Sequence, residues 1–500
     1  MTPELALTLS FVLPLGATIL IGLCDKAPNL REAVTLGTAV ALFGITLCIL
    51  QMINAGQEVG LHVIDVMPGL ALTFNVEPLG MMFAMVASGL WIINSLYSIG
   101  YMRGNKEKNQ TRFFMCFPIA IAGALGVAYA GNLLTLFIAY EVLTLSTYPL
   151  VAHKQNDDAK RGARVYLGIL MLTSICLLLP AIIWTNYAAG TMEFAQGGIL
   201  RDTIEVGLVP LLLALYMFGI GKAALMPFHR WLPNAMVAPT PVSALLHAVA
   251  VVKAGVFCVL KIGIYVFGID FLAETGATNW LQWIAAFTLV MASVIAISKD
   301  NLKARLAYST ISQLAYVVLG LSLASAAGVM GGALQIPMHA MGKITLFFCA
   351  GAIYVAAHKT EISDMDGLGR VMPITFAAFL IGALSIIGLP PMGGSWAKYY
   401  LMLGAVEADK AILMGVLLVS SLLNIAYLLP IPARGFFMKP PQDWSDEDRV
   451  SGHVSRMSRA GIKEAPAFML VPLSFTALGT LVLFFTADHI TAFLQPVIAP

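Results

Sequence analysis

The sequence predicts an all-α, polytopic membrane protein of about 14 transmembrane helices, and three observations lead to this fold class. They are the composition, the lengths of the apolar segments and the distribution of positive charge. Of the 500 residues, 59% are hydrophobic and 11% are charged, whereas roughly 25% of the residues in a soluble domain are charged. So few charges cannot cover a globule of this size with polar surface. The lipid bilayer is therefore the expected surrounding, and no nucleic-acid partner is expected.

The apolar segments have the length that a membrane crossing requires. A helix needs about 20 predominantly apolar residues to cross the hydrocarbon core. Fourteen segments meet this requirement, and we number them as spans 1 to 14. Their ranges are 4–23, 33–53, 78–101, 112–130, 133–152, 164–186, 207–236, 242–268, 279–298, 302–325, 330–357, 371–405, 411–430 and 467–487.

Lysine and arginine are distributed among the connectors in a way that supports this count. When charges near the ends of spans are counted with the adjoining connector, 22 of the 29 such residues belong to odd-numbered connectors, five lie well inside spans, and only Arg201 and Lys410 lie in even-numbered connectors. The residues counted in this way are Arg112, Arg164, Arg230, Lys303 and Arg305. Cytoplasmic connectors carry the excess of positive residues in membrane proteins. The odd-numbered connectors are therefore expected in the cytoplasm. Both termini are then extracytoplasmic, and the expected location is a bacterial plasma (inner) membrane.

Spans 7 and 12 are too long for a plain crossing and contain residues that interrupt a helix. An ordinary kink filled by a neighbouring helix is one explanation. Paired broken helices at corresponding positions are instead typical of transporters built from inverted repeats. The interrupting residues are Pro227 and Pro233 in span 7, and Pro390, Pro391, Gly393 and Gly394 in span 12.

The spacing of the two broken spans predicts the domain organisation. They are five spans apart, and because five is odd, a second copy of the unit must run upside down relative to the first. The expected parts are residues 1–111 with spans 1–3, a first five-helix repeat at 112–268, a second, inverted five-helix repeat at 279–430, and a cytoplasmic loop with span 14 at 431–500.

Ionisable residues inside the spans are the candidate functional groups. A cation at the bilayer centre costs at least about 2.5–3.5 kcal/mol on insertion scales, so such residues usually have a function. One central titratable group per helix suits proton transfer along the membrane plane better than it suits a plain solute channel. We call the following seven the relay residues: Glu141, Lys222, His247, Lys253, His339, Lys343 and Lys398.

Glu141 in span 5 and Lys222 in span 7 both lie near mid-membrane and are expected to form a pair. Opposite charges about 4 Å apart at an effective dielectric near 20 attract by about 4 kcal/mol, so movement of the lysine would load or discharge the glutamate. Thr144, one turn further on, is a secondary residue that could share a cation or water with Glu141. A static ion pair that only fixes helix packing is the alternative.

Span 8 carries His247, Lys253 and Lys261 in order from the cytoplasmic side, separated by about 9 and 12 Å along the axis. His247 is expected either to admit protons or to serve as a satisfied packing residue. Lys261 is either a secondary exit group or a lysine that extends to the outer interface. In span 11, His339 and Lys343 are four residues apart and share a helix face.

No cofactor and no catalytic site are expected in this chain. Its six cysteines are scattered singly without C-x-x-C spacing, which argues against zinc, an iron-sulfur cluster or a disulfide framework. The intramembrane histidines lack the spacing of paired haem ligands and lie beside lysines. No nucleotide or quinone motif is present.

Five long segments within residues 113–430 resemble one family. They are similar to the antiporter-like membrane subunits shared by Mrp-type multisubunit cation/proton antiporters, respiratory complex I and membrane-bound hydrogenases. The segments are AYEVLTLSTYPLV, GKAALMPFHRWLPNAMVAPTPVSALLHAVAVVKAG, DNLKARLAYSTISQLAYVVLG, MHAMGKITLFFCAGA and GLPPMGGSWAKYYL.

The resemblance implies a role for each relay residue. Glu141 and Lys222 match the family's regulating pair, the relay residues of spans 8 and 11 match its proton relay, and Lys398 matches the group that ends the relay. The lysine at 398 and the run MDGLGRVMPITFAAFLIGALSIIGLPP look similar to the D-type Mrp subunit. The chain is then expected to exchange Na⁺ or another monovalent cation for H⁺ within a hetero-oligomeric membrane complex.

Two other functions remain open at this point. The chain could be the proton-pumping subunit of a redox enzyme, either NADH-quinone oxidoreductase or a membrane-bound hydrogenase. In that case the chain would be part of a redox-driven translocase although it carries no catalytic site. A purely structural scaffold is the third possibility, and the buried lysines argue against it because they would cost stability without a use.

Overall fold

The computed structural model describes residues 1–67, 69–439 and 462–498, and these residues form a bundle of long helices with one small sheet. The main elements are α1 (Pro3–Leu23), α2 (Pro28–Asn54), β1 (Gly60–Met67), β2 (Leu70–Asn75), α3 (Pro78–Gly104), α4 (Gln110–Ala128), α5 (Leu133–Val151), α6 (Asp157–Thr173), α7 (Leu179–Ala189), α8 (Val209–Gly219), α9 (Trp231–Asn234), α10 (Thr240–Ala244), α11 (Val251–Ile262), α12 (Ile269–Thr275), α13 (Asn279–Ile297), α14 (Leu302–Ser322), α15 (Ala326–Ala357), α16 (Pro373–Ile387), α17 (Gly394–Glu407), α18 (Ala411–Leu428), α19 (Pro430–Phe437), α20 (Ala467–Phe485) and α21 (Ala487–Ile498).

The helices confirm the predicted fold class. Eleven helices in the described ranges are long and apolar enough to cross a membrane. The three remaining predicted spans are helical too. Span 10 is α14, which is 21 residues long but carries polar side chains, and spans 7 and 12 are divided into shorter helices.

Both predicted interruptions are present. In span 7, α8 ends at Gly219 and a single 3₁₀ turn, Gly221–Ala223, follows it. In span 12, α16 ends at Ile387 and α17 begins at Gly394. The indole N–H of Trp231 donates to the Gly221 carbonyl at 2.9 Å. The first break thus regains part of the hydrogen bonding that it loses, as buried backbone in a membrane requires.

Span 8 contains π turns that the sequence pattern did not predict. One covers Leu245–Val249 between α10 and α11, and another covers Gly263–Phe267 after α11. A third π turn, Ser174–Leu178, joins α6 to α7 in span 6. Such turns are rare and occur often at functional sites.

A β-hairpin in the connector after span 2 departs from the all-α prediction. Strands β1 and β2 pair antiparallel, with Gly60 opposite Asn75. Phe74 also forms an isolated bridge with Ala130, at the end of span 4. The two strands are short and half-exposed, so a search for long apolar segments does not detect them.

Span 8 is the centre of the bundle. All residues in the most apolar window of Thr240–Phe267 are buried, against a third of those in Pro3–Leu23 and in Ala467–Phe485. The functional groups of span 8 are therefore screened from lipid on every side. The division into two inverted repeats stays a prediction, and residues 440–461 of the predicted cytoplasmic loop lie outside the described residues.

Candidate proton path

The break in span 7 holds Lys222 against α5. The Lys222 ammonium donates to the Tyr140 carbonyl at 2.8 Å and to the Thr144 hydroxyl at 2.5 Å. It also lies 3.0 Å from the centroid of the Tyr140 ring. Tyr140 and Thr144 are four residues apart and therefore share one helix face. This face provides the polar contacts of the fully buried lysine.

Glu141 does not form the predicted contact with Lys222. No ion pair in the described part of the chain includes Glu141, and both its carboxylate oxygens are buried without a hydrogen-bond partner. Adjacent positions on a helix differ by about 100°, so Glu141 lies beside the face on which Tyr140 and Thr144 bond the lysine, and not on it. Its neighbours on the outer face, Ile138, Val142 and Leu145, are 41%, 40% and 54% exposed. Thr144 accordingly contacts Lys222.

Gly255 allows span 8 to pack directly on the break. A methyl group at this position would overlap the main chain of Lys222 and Ala223. Only glycine permits so close an approach.

Lys253 and His339 join spans 8 and 11. The lysine ammonium and the imidazole Nδ1 are in direct hydrogen-bond contact, and both side chains are buried. The other ring nitrogen, Nε2, has no hydrogen-bond partner among the described residues. Lys343 lies one turn further along α15 and donates to the Ser309 hydroxyl at 2.7 Å. The expected proximity of the relay residues of spans 8 and 11 is therefore present.

His247 lies in the first π turn of span 8 and is not a satisfied packing histidine. Its ring is fully buried and packs on Phe347 at 4.7 Å between centroids. Neither ring nitrogen has a hydrogen-bond partner within the ranges that the structure describes. Because an unpaired buried polar group is costly, this arrangement favours a residue that binds water or a proton at some stage.

Lys261 does not extend to the outer surface. It is 1% exposed, its ammonium lies 2.8 Å from the Glu77 carboxylate, and it donates to the Ala130 carbonyl at 2.8 Å. Glu77 follows β2 and precedes α3, so the hairpin positions it beside the end of span 8 that carries Lys261. In the sequence, Glu77 lies in the connector between spans 2 and 3. No local signal shows that this carboxylate enters the bundle.

The second break holds Lys398 in a comparable set of contacts. Its ammonium donates to the Ile387 carbonyl at 2.7 Å and to the Ser421 hydroxyl at 2.9 Å, and it lies 5.0 Å from the Tyr316 ring centroid. Gly388 has a φ of +84° and contacts the lysine stem. A left-handed backbone at the end of α16 favours glycine.

A polar cavity of about 250 Å³ opens at the end of span 8 that carries His247. Its lining includes Tyr101, Thr240 and Lys303. Thr240 begins α10, about two helical turns before His247. The Lys303 ammonium donates to the Met236 carbonyl at 2.8 Å. Lys303 is the second residue of α14, at the end of span 10. Nothing in the sequence pattern predicts this cavity.

Comparison with known families identifies the chain. The family model described as NADH:quinone oxidoreductase/Mrp antiporter, transmembrane, matches residues 130–424, which is more than half of the chain. The chain belongs to this family. The match includes every relay residue, and the chain is accordingly an integral membrane protein.

Members of the NADH:quinone oxidoreductase/Mrp antiporter family with different names are similar to the chain. NADH-quinone oxidoreductase subunit N of Desulforudis audaxviator is 29% identical over 489 residues, covering 96% of this chain and 95% of that protein. A probable K⁺/H⁺ antiporter subunit of Rhizobium meliloti is 30% identical, covering 84% of this chain and 41% of that protein. Sequence identity thus does not distinguish the NADH-quinone oxidoreductase branch of the family from the antiporter branch.

A solved structure of the family supports the fold. A chain of the Mrp complex from Dietzia sp. DQ12-45-1b superposes with a TM-score of 0.86 at 21% identity, covering all of this chain and 97% of that chain. At this identity the likeness concerns the fold alone.

Proposed function

We propose that the chain is the proton-translocating membrane subunit of a multisubunit cation/proton antiporter, with Na⁺ as the first candidate cation. One observation carries this proposal. Five lysines and two histidines are buried within the bundle on spans 7, 8, 11 and 12, and Lys253 and His339 are already in hydrogen-bond contact. Buried cations that serve no function would reduce stability.

The contacts support an order of proton transfer. Protons would enter at the polar cavity beside Thr240, reach His247, and pass to Lys253 and His339. Lys343 follows one turn along α15, and Lys398 receives the proton at the other break. Lys261 with Glu77 would form a secondary extracytoplasmic exit from span 8, and the Lys/Arg-rich connectors would face the cytoplasm of a bacterial inner membrane.

Glu141 and Lys222 would regulate this transfer. The charge of Glu141 would act on Lys222 across the side of α5, although the lysine donates its hydrogen bonds to Tyr140 and Thr144 instead. The ammonium has three donors, and two are used in this state. A change at the outer face of α5, where Glu141 lies, would alter the charge balance of Lys222 without movement of a whole helix. Such a face suits contact with another membrane subunit of the complex.

A second function is supported by a specific observation. The NADH-quinone oxidoreductase subunit N matches over 95% of its own length, whereas the Rhizobium meliloti antiporter protein matches over 41% of its length. The same relay residues would then move protons when an electron-transfer module elsewhere in a complex supplies the energy.

Vesicle transport distinguishes the two functions. Inside-out vesicles that contain the whole complex are given a proton gradient and then Na⁺, with no NADH, quinone or hydrogen. The antiporter proposal expects Na⁺ to collapse the gradient, and Glu141→Ala to prevent this collapse while the complex still assembles.

Each outcome has a defined meaning. Gradient changes that occur only after addition of an electron donor would assign the chain to the redox-driven branch. If Na⁺ still collapses the proton gradient in both Glu141→Ala and Lys222→Ala, the two residues serve only helix packing. K⁺ and Li⁺ in place of Na⁺ determine the cation, and quantities of co-purified partner proteins control for assembly.

A further inference from the structure

Span 13 carries a stripe of uncharged polar residues, which the pattern of charged residues does not reveal. Ser420, Asn424 and Tyr427 lie at i, i+4 and i+7 of α18, and all three are fully buried. This spacing places them on one helix face. The opposite face is apolar and open, with Leu418 and Leu422 52% and 65% exposed. The stripe faces α14, between Lys343 and Lys398.

One end of the stripe is bonded to Lys343. The lysine ammonium and Tyr427 Oη both contact Ser309 Oγ, at 2.7 and 2.9 Å, and Tyr427 Oη lies 2.6 Å from Asn424 Oδ1. A phenol has one proton, and an amide oxygen can only accept. When Tyr427 donates to Asn424, Ser309 must donate to Tyr427. All hydrogen bonds then point away from the lysine.

The other end of the stripe is bonded to the second break. Tyr316, two turns after Ser309 on α14, donates to the Ser420 hydroxyl at 2.8 Å. The neighbouring Ser421 hydroxyl accepts from Lys398 at 2.9 Å, and Asn424 lies one turn after Ser420 on the same face of α18. The two ends therefore approach each other at Asn424 and Tyr316.

The amide nitrogen of Asn424 marks the gap between the two ends. It is buried, and it has no hydrogen-bond partner in the part of the chain that the structure describes. Buried polar groups without a protein partner commonly bind an ordered water molecule, provided other polar groups are within reach. Tyr316, Ser420 and Tyr427 supply such groups.

We propose that Ser309 and Tyr427 carry the proton from Lys343 to a water molecule at Asn424 and Tyr316, and that this water delivers it to Lys398 through Ser421. Lys343 gives a proton to Ser309 and Ser309 gives its own to Tyr427, while the original Tyr427 O–H turns from Asn424 Oδ1 to the water and gives up its proton there. The water passes a proton to Ser421, and Ser421 gives its own to the Lys398 amine. The hydroxyls end neutral, Lys343 becomes an amine, and the Lys398 amine becomes an ammonium. This inference rests on the proposed proton transfer and names its route.

The alternative is that the stripe only fixes α18 against α14. Tyr427→Phe keeps the ring and removes the hydroxyl. Tyr216→Phe is the matched control, because Tyr216 is equally buried and its hydroxyl bonds one hydroxyl, that of Thr185, at 2.7 Å away from the relay residues. The two changes remove the same group from similar surroundings.

In vesicles with the whole complex, Tyr427→Phe is expected to slow Na⁺-driven gradient collapse by at least about tenfold, as for loss of a proton-transfer group. The half-saturating Na⁺ concentration should stay unchanged, and the solvent deuterium isotope effect on the rate should rise. Tyr216→Phe should alter none of these. Ser309→Ala should resemble Tyr427→Phe, and Ser309→Thr should restore transport.

Equal rates and equal isotope effects in Tyr427→Phe and the wild type would overturn the route. So would equal losses in Tyr427→Phe and Tyr216→Phe, which would indicate packing. If the wild type responds only to an electron donor, the antiporter proposal fails. The same variants measured during donor-driven proton pumping then still test the route.

Discussion

The two broken spans hold their lysines with nearly the same set of groups. Each ammonium donates to one main-chain carbonyl and one hydroxyl, and each lies near a tyrosine ring. For Lys222 the partners are Tyr140 and Thr144 of α5. For Lys398 the carbonyl is Ile387, the hydroxyl is Ser421 and the ring is Tyr316.

The difference lies in the negative partner. Lys222 takes its carbonyl from another helix and has Glu141 nearby, whereas Lys398 takes its carbonyl from the last residue of α16, the first half of its own span. The carbonyl end of a helix carries a partial negative charge and stabilises a cation. Neither lysine belongs to an ion pair among the described residues, so the contrast lies between a nearby titratable carboxylate and a helix end. The first lysine thus depends on a group that can change its charge, and the second depends on a fixed dipole.

Reversal of charge gives the largest expected effect. Lys222→Ala and Lys398→Ala should each reduce transport by at least about 100-fold. Lys398→Glu keeps a titratable group and should retain a measurable rate. Lys222→Glu should retain none, because two like charges about 5 Å apart at an effective dielectric of 20 repel by about 3 kcal/mol.

The measurement is gradient collapse in vesicles with equal amounts of assembled complex. Equal loss in both glutamate variants would show that the two lysines need a positive charge for the same reason. The proposed difference between the two lysines, an acid near Lys222 and a helix end at Lys398, would then be wrong.

Glycine substitution should affect the first break more than the second. Gly255→Ala would push a methyl group into the main chain of Lys222, and overpacking of this kind costs typically about 1–3 kcal/mol. Gly388→Ala meets a flexible lysine stem but adds the left-handed penalty of about 1–2 kcal/mol. Thermal unfolding of the purified complex should show the larger decrease in Tm for Gly255→Ala. Transport should fall about tenfold there and less for Gly388→Ala.

A reversed order of the two Tm values would contradict the close packing of span 8 on the first break. Gly415→Ala in span 13 is a suitable control, because a methyl group there meets open space.

Loss of a hydroxyl partner should have a smaller effect. Thr144→Val keeps the side-chain shape and removes the fully buried hydroxyl acceptor of Lys222, which keeps its carbonyl partner. Transport should therefore slow about fivefold, as for a net loss of about 1 kcal/mol. Ser421→Ala should slow it about twofold, because Ser421 is only half-buried and water can replace its hydroxyl. Initial rates in vesicles provide the measurement. A greater loss at Ser421 would make the second break the more sensitive one.

His153 should produce the smallest effect on transport. It lies in the connector after α5, and burial, followed by the nearby Arg112 charge, lowers its pKa to about 4. Because the unfolded residue titrates near 6.5, its contribution to stability is complete above that pH and decreases as the pH falls toward 4. His153→Gln should flatten the decrease in Tm between pH 7 and pH 5. The rate of transport at pH 7–8 should not change, and a changed rate would extend the relay into this connector.

The sequence predicted the spans, the breaks and the positions of the relay residues because each depends on local properties. Hydropathy marks a span, and proline or glycine marks an interruption. The contacts of Glu141 and Lys261 could not be predicted in this way. The first depends on the rotation of α5 about its axis. The second depends on a hairpin that brings Glu77 to span 8 from a connector nearly 200 residues earlier.

Neutral polar residues of the candidate path were also not predicted from the sequence. Ser309, Asn424 and Tyr427 are individually unremarkable in apolar helices, and only the packing of α14 against α18 connects them. The i, i+4, i+7 spacing in span 13 was visible in the sequence. It becomes informative once the lysines at both ends are located. The π turns of span 8 likewise depend on packing around the helix.

The central position of span 8 also has a consequence for membrane insertion during synthesis. A lysine left alone in the hydrocarbon core costs at least about 2.5 kcal/mol. Lys261 can pair with Glu77 as soon as span 8 leaves the ribosome, because Glu77 is already in place. Lys253 must wait for His339, 86 residues later. Insertion of the first half is therefore complete only after span 11 arrives, and a chain truncated before span 11 should be degraded.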